Sequence, residues 1–176
     1  NGEDYLDFAA GIAVNILGHN HPKLNKVMLE NVDKIWHLSN LYKIPEQEKL
    51  AEKLCSLSFA EKVFFCNSGA ETVEGAIKVA RKYFYSKGEI LRNEIITFSG
   101  SFHGRTLATL AAAGNPNYSE GFGPMPEGFI SVPFADHDAF KRAINKNTAA
   151  VLLETIQGEG GIRVLPDNCL KEIRKI

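Results

Sequence analysis

Cysteine is scarce in this chain, and long runs of any single character are missing. Cys55, Cys66 and Cys169 stand far apart with no CxxC pair among them, which argues against a disulfide framework and against a structural zinc site. A reducing, cytoplasmic setting is the expectation. Charge of one sign does not accumulate either: 20 basic and 21 acidic side chains leave a formal charge of -1. That balance excludes a global field drawing in nucleic acid or anionic lipid, so any anion site must be built locally. The longest apolar stretches, such as Ala149–Leu153, are far too short to span a bilayer. No basic start followed by an apolar run marks a targeting segment. GxGxxG after a strand, GxxxxGK(S/T) and GxSxG are all missing, which weakens nucleotide-fold and serine-hydrolase readings. His19 and His21 lack third and fourth ligands at suitable spacing, so no metal site is expected. The chain opens at Asn1 without methionine and closes on Leu170–Ile176 in a helical pattern with no Gly, Asn or Pro to end it. A piece of a larger protein is therefore the expectation.

What is present is a rhythm. From Lys62 onward, apolar strand-like runs at Val63–Cys66, Ile95–Phe98, Phe129–Val132 and Ala149–Leu153 alternate with helical patterns at Ala70–Tyr85, Arg105–Ala112, Asp138–Ile144 and from Asn168 on. The runs are apolar throughout rather than alternating, as strands are when helices cover both faces of a parallel sheet. The spacing predicts an α/β fold of four βα repeats. The first long helix carries Val73, Ala76, Ile77, Ala80 and Phe84 on one face, with Glu74, Lys78, Arg81 and Lys82 elsewhere. Earlier, Pro22 starts a helix running through Ile35, and Pro45 starts another with Leu50 and Leu54 inward. These lack enough core of their own, so residues 1–43 form an incomplete small domain or arm. Gly114–Gly128, rich in Gly, Pro and Asn, is a long loop of the kind more often functional or mobile than idle.

In a parallel α/β sheet, ligands collect at the carboxyl ends of the strands. Three segments there carry chemistry. Asn67-Ser68-Gly69-Ala70-Glu71 leads into a long helix and offers free amides and a positive dipole end to a phosphate, although Ser68 and Glu71 also fit a capping box. Gly100-Ser101-Phe102-His103-Gly104-Arg105 places a ring, an imidazole and a guanidinium within four residues. Phe102 can stack on a flat ring and Arg105 can grip a carboxylate. Singly, each also reads as a core aromatic, a turn histidine or a surface ion pair. Gln157-Gly158-Glu159-Gly160-Gly161 is a glycine-rich turn with one carboxylate, and Glu154 closes the strand before it.

Taken together with Gly11-Ile12-Ala13-Val14-Asn15, Gly18-His19-Asn20-His21-Pro22 and His37-Leu38-Ser39-Asn40-Leu41-Tyr42, these blocks resemble class III aminotransferases of pyridoxal-phosphate (PLP) fold type I, nearly end to end. The wording Ser-Asn-Leu-Tyr and Ser-Phe-His-Gly-Arg-Thr is most like the acetylornithine aminotransferases. The resemblance implies a three-layer sandwich on a mainly parallel sheet, here incomplete, with residues 1–43 from the small domain and 44–176 from the large PLP-binding domain. It implies pyridoxal 5'-phosphate as cofactor, with Ser68, Gly69 and Ala70 at its phosphate, Phe102 on its ring, and His103 and Glu154 in the same pocket. Arg105 would bind substrate carboxylates, and Glu159 would pair with an arginine beyond this chain. The implied substrates are N2-acetylornithine and 2-oxoglutarate or glutamate, in arginine biosynthesis, with a homodimer as the assembly. Other ω-amines (ornithine, succinylornithine, 4-aminobutyrate, succinyl-diaminopimelate) stay open, as does a fragment with no catalysis. Thr155, where proline is common, and Thr72-Val73, where Ala-Asn is commoner, blur the substrate more than the reaction type. The family's Schiff-base lysine, and the aspartate that pairs with the pyridine nitrogen, would lie past Ile176, so no catalytic residue is expected within this chain.

Overall fold

Ile95, Ile96, Thr97 and Phe98 are β-branched or aromatic, and such residues favour a strand packed on both sides. They form β1 (Glu94–Phe98), and all four are buried. Successive side chains point to opposite faces, so burial of neighbours means that both faces of β1 are covered. The computed structural model describes residues 2–176 and separates into two compact units, 1–63 and 64–176.

In the first unit lie a single turn, α1 (Ala10–Ala13), and two helices started by proline, α2 (Pro22–Asn31) and α3 (Pro45–Ser56). Proline suits a helix start because its missing N–H would have no partner there. No described residue of this unit is buried. Leu50 and Leu54, expected inward, are 51% and 42% exposed, because the unit holds no core for them to enter. The helix from Pro22 stops at Asn31 rather than reaching Ile35.

The second unit opens with α4 (Gly69–Ser86) and then β1, α5 (Leu107–Ala113), α6 (Pro116–Ser119), β2 (Phe129–Val132), α7 (His137–Ala143), β3 (Thr148–Val151), a two-residue-per-strand hairpin of β4 (Ile156–Gln157) and β5 (Arg163–Val164), and α8 (Cys169–Lys175). The sheet order is β2-β1-β3, and both pairings with β1 are parallel. The α/β architecture with a parallel sheet is as the sequence predicts. The repeat is not fourfold, however. Val63–Cys66 forms no strand, because no described residue supplies it with a ladder partner and extended backbone without one is not a strand. One face of β1 packs through Ile96 and Phe98 with Val132 and Phe140, and the Phe98 and Phe140 rings stack at 6.0 Å. Against β1 and β2 also lies α5, with Leu110, Ala112 and Ala113 buried.

Helix α4 buries a narrower stripe than its pattern suggests. Ile77 is buried, while Val73, Ala80 and Phe84 are half-buried and Ala76 is exposed. Arg81, expected on the outer side, reaches inward: its Nε donates to the Asn93 carbonyl at 3.1 Å and Nη2 to the Glu127 carbonyl at 2.7 Å, with the guanidinium 5.1 Å above the Phe129 ring. The long stem lets a charged head find fixed acceptors while the methylenes pack. The loop 114–128 is broken by the single turn of α6, which Asn115 caps through its side chain. Among the described residues, no helix is long and apolar enough to cross a membrane.

Candidate functional site

The start of α4 follows from Ser68. Its extended backbone (φ -151°, ψ 162°) lets Oγ accept the Glu71 amide at 3.2 Å, which removes one of the helix's orphan donors. In a reciprocal box Glu71 would return to the Ser68 amide. Here its carboxylate instead accepts from the Asn67 amide at 2.6 Å and side chain at 3.4 Å. The Thr72 amide is taken by the Ser68 carbonyl at 3.1 Å. That leaves the amides of Ser68, Gly69 and Ala70 without acceptors among the described residues, at the positive end of an 18-residue helix. Cap and anion cradle coexist. Replacing Ser68 by alanine is expected to cost the complete protein about 1 kcal/mol of stability, read as a lowered denaturant midpoint at unchanged m-value; an unmoved midpoint would count against the cap.

The second turn is pressed onto this cradle. At Gly104 (φ +133°) an added Cβ would stand 2.9 Å from the Ala70 Cβ and 2.9 Å from Thr109 Oγ1. Real Cβ atoms do not approach so closely, so only glycine lets the backbone come this near. Thr106 Oγ1 donates to the Glu74 carboxylate at 2.5 Å, a second tie from this turn to α4. Within the turn, Ser101 and His103 are buried, and Ser101 Oγ and His103 Nε2 have no partner. Burial pushes the His103 imidazole below its ordinary range, because a charged ring would lose water without gaining a counter-ion. Burial thus favours the neutral ring.

Phe102 and Arg105 face a residue that the sequence pattern did not single out. Tyr118, from α6 in the flagged loop, meets Phe102 edge-on at 6.5 Å. The Arg105 guanidinium lies 5.6 Å from the Phe102 centroid and 5.3 Å from that of Tyr118. Two rings therefore hold one exposed cation that has no ion pair among the described residues.

The third turn is tied to the second. Glu154, which lies beyond the end of β3 rather than closing it, accepts the Phe102 amide through Oε1 at 2.7 Å. Gln157, fully buried, donates from Nε2 to the Ser99 carbonyl at 3.2 Å. Arg163 donates to the same carbonyl at 3.1 Å and to Gln157 Oε1 at 2.6 Å. Gln157 and Arg163 carry no local signal in sequence, since both only reveal themselves across a fold of distant segments. Ser68, Gly69, Ala70, Phe102, His103, Arg105 and Glu154 thus belong to one connected set of contacts. Glu159 stands apart at the exposed hairpin tip, where its carboxylate has no partner among the described residues. A concavity of about 1000 Å³ lies elsewhere, along Lys78, Val79, Tyr83 and Ile90. Its lining mixes apolar surface with Lys78, Arg81, Lys82 and Asn93, and no residue of the three turns borders it, so the chemistry of the turns outweighs its size. His19 lies in the other unit, paired with Asp7 at 2.8 Å.

The family model described as aminotransferase class-III matches residues 1–176. An acetylornithine aminotransferase of Agrobacterium fabrum is 58% identical over 176 residues, which are all of this chain and 44% of that protein. The crystal structure of N-acetylornithine aminotransferase from Stenotrophomonas maltophilia is 40% identical with a TM-score of 0.80, covering 97% of this chain and 42% of that one. An ornithine aminotransferase of Toxoplasma gondii, whose structure has PLP partially occupying the active site, is 28% identical with a TM-score of 0.92, covering 99% and 42%. The chain therefore spans less than half the length of the relatives it matches.

Proposed function

Because the chain belongs to the class-III aminotransferase family, we propose that the complete protein moves the δ-amino group of N2-acetylornithine to 2-oxoglutarate, yielding glutamate and the semialdehyde, with PLP as its cofactor. The family is PLP-dependent. The observation that carries the reading is the packing of three turns into one set: Gly104 against Ala70, Glu154 on the Phe102 amide, and Gln157 with Arg163 on Ser99. Sequence favours acetylornithine over ornithine. The T. gondii ornithine enzyme superposes better, at 0.92 against 0.80, yet shares only 28% identity against 40%. Shape is common to the family, so the residues must decide the substrate.

The residues suit the cofactor. The unpaired amides of Ser68, Gly69 and Ala70 are a phosphate's natural acceptor-free donors, and the buried Ser101 Oγ and His103 Nε2 lack partners beside the Phe102 ring. PLP, when bound, supplies an electron sink and an amino-group carrier. This chain's part is binding and orientation. Phe102 offers a ring for stacking, held by Glu154 through its amide. Arg105 binds the carboxylate of the amine donor and then that of 2-oxoglutarate. Glu159 pairs with an arginine outside this chain and releases it when a dicarboxylate arrives, so one site accepts both substrates. The lysine and aspartate that complete the chemistry are assigned to residues outside this chain. Residues 1–43 are assigned to the small domain, 44–176 to the first part of the large one, and the whole protein to a homodimer.

The complete protein, loaded with PLP, is expected to form glutamate from N2-acetylornithine and 2-oxoglutarate with parallel double-reciprocal plots, the mark of a ping-pong scheme. Turnover of ornithine or 4-aminobutyrate without N2-acetylornithine would remove this substrate assignment.

A further inference from the structure

The β4–β5 hairpin cannot hold its own position. Two pairs, Ile156 with Val164 and Gln157 with Arg163, make up its whole ladder, and ribbons of that size are not stable alone in water. Its tip, residues 158–162, contains three glycines flanking Glu159, which adds backbone freedom. Gly161 sits at φ +101° and Ile162 at φ +54°. The tip closes on itself, the Gly161 and Ile162 amides donating to the Gly158 carbonyl at 3.1 and 3.2 Å, but these local bonds set its shape and not its place against β1.

Its place is set by the side chain of Arg163. Its Nη2 donates at once to Gln157 Oε1 and to the Ser99 carbonyl, at 2.6 and 3.1 Å, while its guanidinium lies 4.8 Å above the Phe134 ring. Gln157, opposite it across the hairpin, donates to the same carbonyl. Both strands of the hairpin are thereby fastened to the residue that follows β1 and begins the Phe102 turn. The surroundings are shaped for the fork. A Cβ at Gly100 would collide with the Arg163 guanidinium, and one at Gly160 would stand 2.7 Å from the Gly100 carbonyl and 2.8 Å from Gln157 Oε1. Glycine at both positions makes the room. Although Arg163 is exposed, its head group is ordered by Gln157, the Ser99 carbonyl and the Phe134 ring.

We infer that Arg163 is a positioning residue for the switch between the two substrates: it clamps the hairpin to the end of β1 and so fixes Glu159 relative to the turn that carries Phe102 and Arg105. The inference rests on the role proposed above for Glu159. Removing the fork frees the tip and weakens the hold of Glu159 on its arginine, so the dicarboxylate meets less competition for that arginine while the amine donor binds beside an unshielded charge.

The complete protein with Arg163→Met tests this in two ways. Amide hydrogen exchange, read on the cofactor-free protein, is expected to quicken at residues 158–162 by about tenfold, the size of one charge-assisted hydrogen bond, while α4 exchanges as in the wild type. In steady state the KM for 2-oxoglutarate is expected to fall and that for the amine donor to rise, their ratio shifting by about tenfold. Arg163→Lys, which keeps the charge without the fork, should fall between. In a Glu159→Gln background the further shift from Arg163→Met should shrink below about twofold, because the clamp acts through Glu159. Unchanged exchange at the tip, equal losses for both substrates, or full additivity with Glu159→Gln would each overturn the clamp. If Arg163→Met does not fold, Gly100→Ala displaces the same guanidinium and is expected to give the same exchange pattern; unchanged exchange there would overturn it equally. Exchange needs no substrate, so a wild-type protein that ignores N2-acetylornithine refutes the functional reading, not the clamp.

Discussion

Valine in place of Gly104 is expected to abolish cofactor retention. The position combines two demands. Its φ of +133° is one that side chains with a Cβ rarely adopt, and an added Cβ would lie 2.9 Å from the Ala70 Cβ and 3.1 Å from its Cα. The second contact is with backbone in the first turn of α4, which the Ser68 cap holds in place, so the neighbour cannot yield cheaply. Left-handed strain and overpacking each cost on the order of 1–3 kcal/mol. The relief available is to push the Phe102 turn off the α4 N-terminus, parting the ring from the phosphate donors. Titrating PLP into the complete protein and following cofactor absorbance should show a Kd raised by at least about a hundredfold, the equivalent of some 3 kcal/mol. Gly104→Ala should be intermediate. A Kd for the valine variant within a few-fold of the wild type would show that the close approach is irrelevant to the cofactor.

The second large effect belongs to Arg105. Its guanidinium lies beside both the Phe102 and Tyr118 rings, exposed and without an ion pair among the described residues, so its five donors remain for a ligand. A two-pronged bond to a substrate carboxylate is among the stronger polar contacts available. Arg105→Met should therefore lower kcat/KM by about a hundredfold or more for both N2-acetylornithine and 2-oxoglutarate, since each presents a carboxylate to the same place. Arg105→Lys should recover only part, because a point charge cannot reproduce the planar fork. Steady-state kinetics on each substrate is the measurement. A loss below about threefold for either would remove Arg105 from that half-reaction.

What could be read from sequence was whatever chemistry is local. The Ser68–Glu71 cap involves residues three apart, and the structure forms it, with the twist that Glu71 turns to Asn67. Ile95–Phe98 carries enough β-branched and aromatic character to declare itself, and it became the central strand. Val63–Cys66 carries similar character but forms no strand, since a ladder depends on a neighbour that the local pattern does not contain. The β4–β5 hairpin escaped notice because two residues per strand display no periodicity. Tyr118 lay in a loop marked only by its length, and Gln157 and Arg163 gain meaning from the Ser99 carbonyl 58 and 64 residues away. Arg81 and Glu74 were placed on an outer face by periodicity, yet each reaches a distant acceptor or donor. Long polar side chains evade a pattern built on hydrophobicity.

The placement of β1 in the middle of the sheet bears on how the polypeptide is made. Ile95 pairs with Phe129 on one side and with Ala150 on the other, so the strand leaves the ribosome well before either neighbour exists. Until some 34 further residues have emerged the apolar segment Ile95–Phe98 must travel unpaired, and its second edge stays open until some 55 have, at roughly 5–20 residues per second. Nascent chains of this protein therefore pass through an interval of seconds in which a chaperone has an adhesive strand to shield, and slowed translation between Phe129 and Val151 would lengthen that exposure.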